Sequence, residues 1–411
     1  MSRPKVLALI MAGGPGSRLE VLTDRRAKPA MPYAAVYRLI DFPLSNCMNS
    51  RIENVWIIQQ YQPHSLTDHV SNGRPWDLDR TYGGLRLLQP HLGTDEGGWH
   101  RGNADAIYRN KTFIAEFSPD LLLVLSADHV YKLDYARVIE AHLDRRAEVT
   151  MVTTRVPRAE ASRFGCVEAT EDGRVTGFAY KPEDPPTDLV TTEVFVFDAR
   201  TAMSTLGEIA ESKGSAGSDG DQDSESLEDF GHELLPRLVE GGRAYEYRLS
   251  GYWRDLGTVE SYWLAHVDLL GDNPAIDLDD PDWPIHTLGV QRPPAKVFGS
   301  AVIDDSLIAS GCEVHGRVVR SVIAPGVVIE RDAVVRDSIV LHSSRIGAGA
   351  ALDCCVIDMR CDIGTRCRMG RARRTDNASD VSGEDLVLVG EGAHVAAETV
   401  VGAGARIDPG G

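Results

Sequence analysis

The chain has 411 residues, of which 43% are hydrophobic and 25% are charged, and its formal net charge is −18. This length is sufficient for two domains with full cores, and the composition is that of an ordinary soluble globular protein. Nucleic-acid and membrane-surface binding both require a basic face, so the acidic charge argues against these functions. Met1–Lys5 leads directly into an apolar run without a signal peptide, and the seven cysteines do not resemble a disulfide framework. We therefore predict a cytoplasmic protein.

Strand-like and helix-like segments alternate from the amino terminus onward. Apolar runs predict buried strands at Val6–Met11, Asn54–Gln59, Leu121–Ser126 and Glu148–Thr153. Helices are predicted between them at Asp41–Ser50, Asn103–Ala115 and Tyr135–Arg145, with Asn103 as an N-cap. The alternation predicts a Rossmann-like, mostly parallel sheet covered by helices on both faces. Ligands of such sheets bind at the carboxyl ends of the strands.

The first predicted strand ends in a glycine-rich loop that is followed by basic residues. The loop contains Gly13, Gly14, Gly16, Ser17 and Arg18, and the basic residues are Arg25, Arg26 and Lys28. Glycines after a strand let the backbone approach a ligand and direct its N–H groups at oxygens, and an arginine adds a planar fork for phosphate. A tight turn, as found in any α/β domain, is the alternative interpretation.

An ordered series of residues follows this loop: Leu19, Leu22-Thr23, Arg26-Ala27-Lys28-Pro29-Ala30 and Arg38-Leu39-Ile40-Asp41-Phe42. The series resembles the signature of the sugar-1-phosphate nucleotidyltransferases and is closest to their glucose-1-phosphate adenylyltransferase branch. The resemblance covers almost the whole chain. It implies that a phosphate oxygen of a sugar 1-phosphate attacks the α-phosphorus of a nucleoside triphosphate in line while pyrophosphate leaves. It also implies a homo-oligomer, either a dimer or a tetramer.

The resemblance assigns roles to the nucleotide-binding residues. Arg18 and Lys28 would stabilise the triphosphate and the leaving pyrophosphate. The loop residues Gly13, Gly14, Gly16 and Ser17 would complete the nucleotide site. The family reads the base with a glutamine, for which Gln89 is the nearest candidate, although the spacing here departs from that of the family.

Two aspartates are predicted to hold Mg²⁺. Asp128 directly follows the apolar run Leu121–Leu125, and Asp255 precedes a predicted helix, Val259–Leu270. Both resemble the metal-carboxylate segments of the family, which has a glycine where this chain has Ala127. Carboxylates near a phosphate-binding loop are suited to hold Mg²⁺ against phosphate oxygens. Each aspartate could instead cap a turn or a helix.

The acceptor pocket of the family is only partly retained. The corresponding residues are His100, Gly165, Tyr180, Lys181, Thr191 and Glu193. Lys181 would neutralise the phosphate of the sugar 1-phosphate. The family, however, has a tyrosine in place of His100, a glutamate in place of Tyr180 and a glycine in place of Glu193. These changes indicate the same reaction on a different hexose-like acceptor, unless Glu193 takes over the role of the missing glutamate.

The remaining segments define the predicted domain organisation. A nucleotidyltransferase catalytic domain is predicted over 1–272, with an acidic, Ser/Gly-rich, disordered insertion at 211–228. Glu171–Arg174 is predicted to turn a hairpin, and Val190–Phe197 to form a strand. An Asp/Pro-rich linker spans 273–297 and precedes a second domain at 298–411.

Aliphatic residues recur at intervals of six beyond residue 298. The series comprises Val302, Ile308 and Val314; Val322, Val328, Val334, Val340, Ile346 and Leu352; Ile357, Ile363 and Met369; and Val389, Val395, Val401 and Ile407. This period predicts a hexapeptide-repeat left-handed β-helix. Cys361 and Cys367 fall four residues after aliphatic positions, in a small inward-facing slot, so we interpret them as packing residues rather than metal ligands.

The sequence leaves several functions open. One is ADP-glucose synthesis, the usual activity of this branch. Another, slightly favoured by the altered pocket, is guanylyl transfer from GTP to a valienol-type cyclitol 1-phosphate, an offshoot of the branch in aminocyclitol antibiotic biosynthesis. A third is a non-catalytic regulatory subunit. A fourth is an acyltransferase site in the β-helix with His315 or His342 as base.

Overall fold

The computed structural model describes residues 4–14, 16–90, 100–216, 227–370 and 381–410. Contacts divide the chain into two compact units. The first unit comprises Met1–Gly14, Pro43–Tyr61 and Ser71–Trp253, and the second comprises Pro15–Phe42, Gln62–Val70 and Arg254–Gly411. The second unit therefore combines the hexapeptide repeats with segments that precede them by more than two hundred residues in sequence.

The first unit is built on a sheet to which its described residues contribute nine strands. These are β1 (Val6–Ala12), β2 (Asn54–Gln59), β3 (Gly84–Leu88), β4 (Leu121–Ser126), β5 (Val149–Arg155), β6 (Gly165–Ala169), β7 (Val175–Tyr180), β8 (Leu189–Asp198) and β9 (Ala244–Arg248). The strand order is β7-β6-β8-β4-β1-β2-β3, and β5 pairs with both β8 and β9. Strands β4, β1, β2 and β3 run parallel, whereas β8 is antiparallel to β4 and β6–β7 is the predicted hairpin. The predicted parallel-rich α/β fold is confirmed.

Strand β4 lies at the centre of this sheet. All of its residues are buried. It pairs in parallel with β1, where Val6 lies opposite Leu121, and antiparallel with β8, where Val194 lies opposite Leu125. Because a strand covered on both faces is apolar throughout, β4 is recognisable in the sequence as an uninterrupted aliphatic run.

The helices are α1 (Asp41–Asn49), α2 (Pro63–Val70), α3 (Asn103–Arg109), α4 (Lys111–Phe117), α5 (Tyr135–Asp144), α6 (Ala199–Ala216), α7 (Leu234–Glu240) and α8 (Val259–Val267). Short 3₁₀ helices occur at Ser17–Leu22, Lys28–Ala30, Arg74–Trp76 and Arg158–Arg163. Short strands occur at Pro32–Tyr33, Tyr37–Arg38, His129–Tyr131 and Trp253–Asp255. None of the described helices is long and apolar enough to cross a membrane.

Three predictions, two about a helix and one about disorder, need correction. The predicted helix Asn103–Ala115 is two helices, because Asn110 ends α3 and precedes α4, and its Nδ2 donates to the carbonyl oxygen of Ala106 at 2.8 Å. The N-cap of α3 is Gly102, whereas the Asn103 side chain accepts a hydrogen bond from the backbone N–H of Phe230 at 2.7 Å. Helix α6 continues to Ala216, six residues into the segment predicted to be disordered. Residues 217–226 of that segment lie outside the described residues.

The repeats form the predicted β-helix. Its strands lie in three parallel sheets, to each of which the described residues contribute six strands. The first sheet contains Lys296–Val297, Glu313–Val314, Val328–Ile329, Arg345–Ile346, Asp362–Ile363 and His394–Val395; the second contains Val302–Asp304, Arg317–Val319, Val334–Arg336, Ala351–Asp353, Arg368–Gly370 and Val400–Gly402; the third contains Leu307–Ile308, Val322–Ile323, Ile339–Val340, Cys355–Ile357, Val387–Val389 and Arg406–Ile407.

The strict six-residue period is wrong for part of the core. Val328 pairs with Arg345, and Arg345 pairs with Asp362, so these coils advance by 17 residues, whereas the coil from Leu307 to its partner Val322 advances by 15. A 17-residue coil contains one five-residue interval, which here runs from Val335 to Val340. As a result the residues in the buried core are Ile323, Ile329 and Val335, each one position after the predicted Val322, Val328 and Val334. The prediction is correct for Val340, Ile346, Leu352, Ile357, Ile363 and Met369.

The cysteines of the β-helix are packing residues. Cys355, Cys361 and Cys367 lie in its hydrophobic core, and all the cysteines are free and buried. Burial raises the pKa of Cys355 and of Cys361 to about 12. These thiols therefore stay protonated and apolar in character.

The amino-proximal segments of the second unit bind helix α8. The Tyr262 hydroxyl donates to the carbonyl oxygen of Pro32 at 2.6 Å, and the Tyr33 hydroxyl donates to that of Ala265 at 3.0 Å. In turn, Nε1 of Trp263 donates to the carbonyl oxygen of Asp337 in the β-helix at 2.8 Å. Helix α8 is thus held between residues 32–33 and the coil.

A pair of facing glycines tests the tightness of the coil. Gly370 has a φ of +95°, and a Cβ there would lie 1.8 Å from the carbonyl oxygen of Asp353. Its strand partner Gly402 has room, because a Cβ there meets nothing within 4 Å. We expect Gly370→Ala to destabilise the protein by roughly 1–3 kcal/mol and Gly402→Ala to change stability by less than about 0.5 kcal/mol. The measurement is thermal unfolding of both variants by circular dichroism, and equal midpoints would contradict the expected clash.

Candidate active site

Asp128 lies at the carboxyl ends of the parallel strands, where sheets of this kind bind ligands. It follows β4 at the carboxyl end, and its side chain is 24% exposed. The Ser126 hydroxyl donates to its Oδ1. Asp128 therefore presents an accessible carboxylate at the end of a buried strand.

A second carboxylate and an imidazole lie close to Asp128. One carboxylate oxygen of Asp128, one of Glu193 and one ring nitrogen of His129 lie within 4.8 Å of one another. Within the part of the chain that the structure describes, this is the one group of three such side chains with that spacing. Carboxylate oxygens and imidazole nitrogens are donors that divalent cations accept, so the group fits such an ion. Sequence reasoning identified Asp128 and Glu193 but not His129.

The predicted acceptor residues Gly165, Tyr180 and Thr191 come together on neighbouring strands. Tyr180 of β7 lies opposite Gly165 of β6. A Cβ on Gly165 would lie 3.1 Å from Oγ1 of Thr191 and 2.8 Å from the ring of Phe178. Position 165 therefore has no room for a side chain, and this close packing requires a glycine there.

Tyr180 joins Lys181 to a residue that sequence reasoning missed. The Tyr180 hydroxyl donates to Oδ2 of Asp229 at 2.8 Å and accepts a hydrogen bond from Nζ of Lys181 at 2.8 Å. Burial, together with the charges of Asp229 and Glu193, raises the pKa of Tyr180 well above its usual value. The phenol is therefore neutral and remains a donor to Asp229. The signal for Asp229 was its Asp-Phe-Gly segment, because Gly231 leaves the space that the Tyr180 ring fills.

The backbone of His100 is bound by Gln60, a glutamine to which sequence reasoning assigned no role. The His100 backbone N–H donates to Oε1 of Gln60 at 2.7 Å, and Nε2 of Gln60 donates to the His100 carbonyl oxygen at 3.1 Å. A Cβ on Gly13 would lie 4.0 Å from Cβ of Gln60. The buried Gln60 therefore stands beside the glycine loop, whereas Gln89 is exposed after β3. A role for Gln89 in reading the base stays a prediction.

In the second unit, the loop residues lead into the basic side chains. Gly16 has a left-handed φ of 71°, and Ser17 begins the 3₁₀ helix Ser17–Leu22 that carries Arg18. A Cβ on Gly16 would lie 3.1 Å from Cβ of Lys28, so the loop and Lys28 pack closely. Gly14 completes the end of the loop in the first unit.

Asp255 is grouped with two cations of the second unit. Nζ of Lys28 lies 3.6 Å from Oδ1 of Asp255, and both side chains are nearly buried. A Cβ on Gly257 would lie 2.7 Å from Oδ2 of Asp255 and 3.2 Å from Nη2 of Arg18. Gly257 thus leaves room for a carboxylate and a guanidinium side by side. Asp255 is not the N-cap of α8, because Thr258 forms a capping box with Ser261.

The two predicted metal ligands fall in different units. The structure groups Asp128 with His129 and Glu193, and it groups Asp255 with Arg18 and Lys28. A shared magnesium site of Asp128 and Asp255 stays a prediction.

The histidines of the β-helix are poorly suited to general base catalysis. Burial and the charges of Arg38 and Arg292 lower the pKa of His342 to about 3. His315 stacks on Phe298 with ring centroids 3.6 Å apart. A base with so low a pKa takes up a proton only weakly, which disfavours acyltransferase chemistry at His342.

Comparison with known proteins matches both parts of the chain. A family model described as "Nucleotidyl transferase" matches residues 7–271, and one described as "GlmU-like, C-terminal hexapeptide" matches residues 293–389. A curated protein of Acetivibrio thermocellus named "Glucose-1-phosphate adenylyltransferase" is 36% identical over 412 residues, which cover 100% of this chain and 94% of the relative. A protein of the same name from Thermomicrobium roseum is 42% identical over 89% of this chain and 83% of the relative. Another, from Clostridium acetobutylicum, is 40% identical over 82% and 86%.

Proposed function

Because the chain belongs to the nucleotidyl transferase family, as a sugar-1-phosphate nucleotidyltransferase, we propose that it joins ATP and glucose 1-phosphate to form ADP-glucose and pyrophosphate. The observation that carries this proposal is the match of the whole chain, repeats included, to a relative named "Glucose-1-phosphate adenylyltransferase". A phosphate oxygen of glucose 1-phosphate forms a bond to the α-phosphorus of ATP, and the bond from that phosphorus to the bridging oxygen of pyrophosphate breaks.

The chain's own residues have distinct proposed tasks in this reaction. Arg18 and Lys28 neutralise the triphosphate and the leaving pyrophosphate, and Lys181 neutralises the attacking phosphate. Gly13, Gly14, Gly16 and Ser17 bind phosphate oxygens through the backbone. Asp128 and Asp255 are the proposed ligands of Mg²⁺, which when bound supplies charge neutralisation between the phosphates. A homo-oligomer is part of the same proposal.

A second candidate is guanylyl transfer to a valienol-type cyclitol 1-phosphate. One observation favours it: the residue in place of the family's glutamate, Tyr180, uses its hydroxyl proton on Asp229. The phenol is neutral and its oxygen already accepts a hydrogen bond from Lys181, so it binds a hydroxyl of the acceptor less strongly than the family's charged carboxylate would. The relatives' names favour the first candidate.

The two candidates are separated by a substrate panel. We expect pyrophosphate release from ATP with glucose 1-phosphate to have a kcat/KM at least about tenfold above every other pairing of ATP or GTP with glucose 1-phosphate or valienol 1-phosphate, a difference of about 1.4 kcal/mol in transition-state binding. Higher activity with GTP and the cyclitol would establish the second candidate. No activity with any pairing would indicate a regulatory subunit.

Gly257 provides a test of the Asp255 group. In Gly257→Ala the new Cβ would crowd Asp255 and Arg18, so we expect kcat/KM to fall at least about tenfold without loss of the fold. Gly251→Ala is the matched control, because a Cβ at Gly251 meets nothing within 4 Å. Steady-state kinetics and circular dichroism of both variants provide the measurement. Equal kcat/KM values would contradict a role for this group in turnover.

Tyr180 provides a test of the acceptor side. Tyr180→Phe removes the acceptor for Lys181 and the donor to Asp229. We expect the KM for the sugar phosphate to rise about tenfold while the KM for the nucleotide stays unchanged, since charge-assisted hydrogen bonds contribute about 1.5–3 kcal/mol. Tyr82→Phe is the control, at a residue that is 89% exposed. An equal rise in both KM values would contradict placement at the acceptor.

A further inference from the structure

The group of Asp128, His129 and Glu193 has the spacing of a cation site. Two ligands of one ion with bond lengths of about 2.1 Å stand about 3 Å apart when adjacent and about 4.2 Å apart when opposite. The three side chains already place their ligand atoms within 4.8 Å of one another. Rotation about a few side-chain bonds would bring them onto one ion.

The imidazole of His129 is oriented as in metal-binding histidines. Its Nδ1 lies 3.0 Å from the carbonyl oxygen of Thr192, so Nδ1 carries the hydrogen and donates it. In the neutral ring the lone pair is then on Nε2, which lies 3.6 Å from Oδ1 of Asp128. The ring is buried and packs edge-on against Trp253, with centroids 5.2 Å apart. A backbone carbonyl on the far nitrogen is the usual support of a metal-ligating histidine.

Glu193 reaches this group because strand β8 bulges. In the pairing of β8 with β5, Thr191 lies opposite Thr153 and Phe195 opposite Met151, so residues 192–194 face Val152 alone. Glu193 has a left-handed φ of 55°. A glutamate in this conformation is strained where a glycine would be relaxed, and bulges beside active sites redirect side chains.

We propose that His129 and Glu193 join Asp128 as ligands of a divalent cation, and that the nitrogen ligand makes this site prefer Mn²⁺ to Mg²⁺. Mg²⁺ favours oxygen ligands and retains its water, whereas imidazole binds first-row transition ions more readily. The proposal rests on the proposed function only in taking Asp128 as a metal ligand. It assigns Glu193 to the ion instead of to the hydroxyl groups of the acceptor.

The test measures the affinity of the full chain for Mn²⁺ by electron paramagnetic resonance, in the absence of nucleotide and sugar phosphate. Glu193→Gly suits the left-handed backbone and should fold, and we expect it to weaken Mn²⁺ binding at least about tenfold. Glu183→Gln, at an exposed glutamate outside the group, is the control and should bind as the unaltered chain does. Unchanged affinity in Glu193→Gly would overturn the proposal.

Two further readouts keep the result independent of turnover. Pulsed resonance should show ¹⁴N coupling to the bound Mn²⁺ in the unaltered chain and its loss in His129→Gln. Mg²⁺ should displace Mn²⁺ at least about tenfold more readily from His129→Gln, which lacks the nitrogen ligand. Absence of ¹⁴N coupling in the unaltered chain would overturn the proposal even if ADP-glucose forms. Conversely, inactivity with every substrate pair would leave these binding results intact and would contradict only the proposed function.

Discussion

The arrangement of the second unit depends on one buried guanidinium. Arg26 has a side chain that is 4% exposed; its Nη1 donates to both carboxylate oxygens of Asp358 at 2.8 and 2.9 Å, and its Nη2 donates to Glu391. Burial raises the pKa of Asp358, and the charge of Arg26 opposes this shift. Removal of one partner from such a pair leaves an uncompensated buried charge. The segment around Arg26 is therefore fixed in one register on the β-helix.

The fixed position of Arg26 also affects Lys28, which is proposed to bind the triphosphate. Lys28 is two residues from Arg26, and the backbone N–H of Ala27 between them donates to Oγ of Ser65 at 2.9 Å. Because Arg26 and Ala27 are both fixed, Lys28 is directed at Asp255. The hexapeptide repeats thus do more than follow the catalytic sequence, because their carboxylates set the position of a cation proposed to act on the triphosphate.

The sequence predicts those features of the fold that follow from local hydrophobicity. It does not predict features that depend on contacts between residues far apart in the chain. Leu121–Ser126 was predicted with its observed bounds, because a doubly covered strand is apolar throughout. The repeat was also predicted, but a five-residue interval before Val340 places Ile323, Ile329 and Val335 in the core in place of the residues that precede them. Neither the interval nor the break at Asn110 has a local signal strong enough to outweigh the periodic pattern.

The residues of the candidate site also differ in how far the sequence predicts them, and the difference affects the chemistry of the site. The end of a buried strand identified Asp128, but the bulge that brings Glu193 near it depends on pairing with β5. The contact of Tyr180 with Asp229 joins residues 49 apart in sequence. Its effect is electrostatic. Where the family has a carboxylate beside the lysine, Lys181 here donates to a neutral phenol. A neutral partner offsets the ammonium charge less than a carboxylate would, which leaves that charge available to the phosphate that Lys181 is proposed to neutralise.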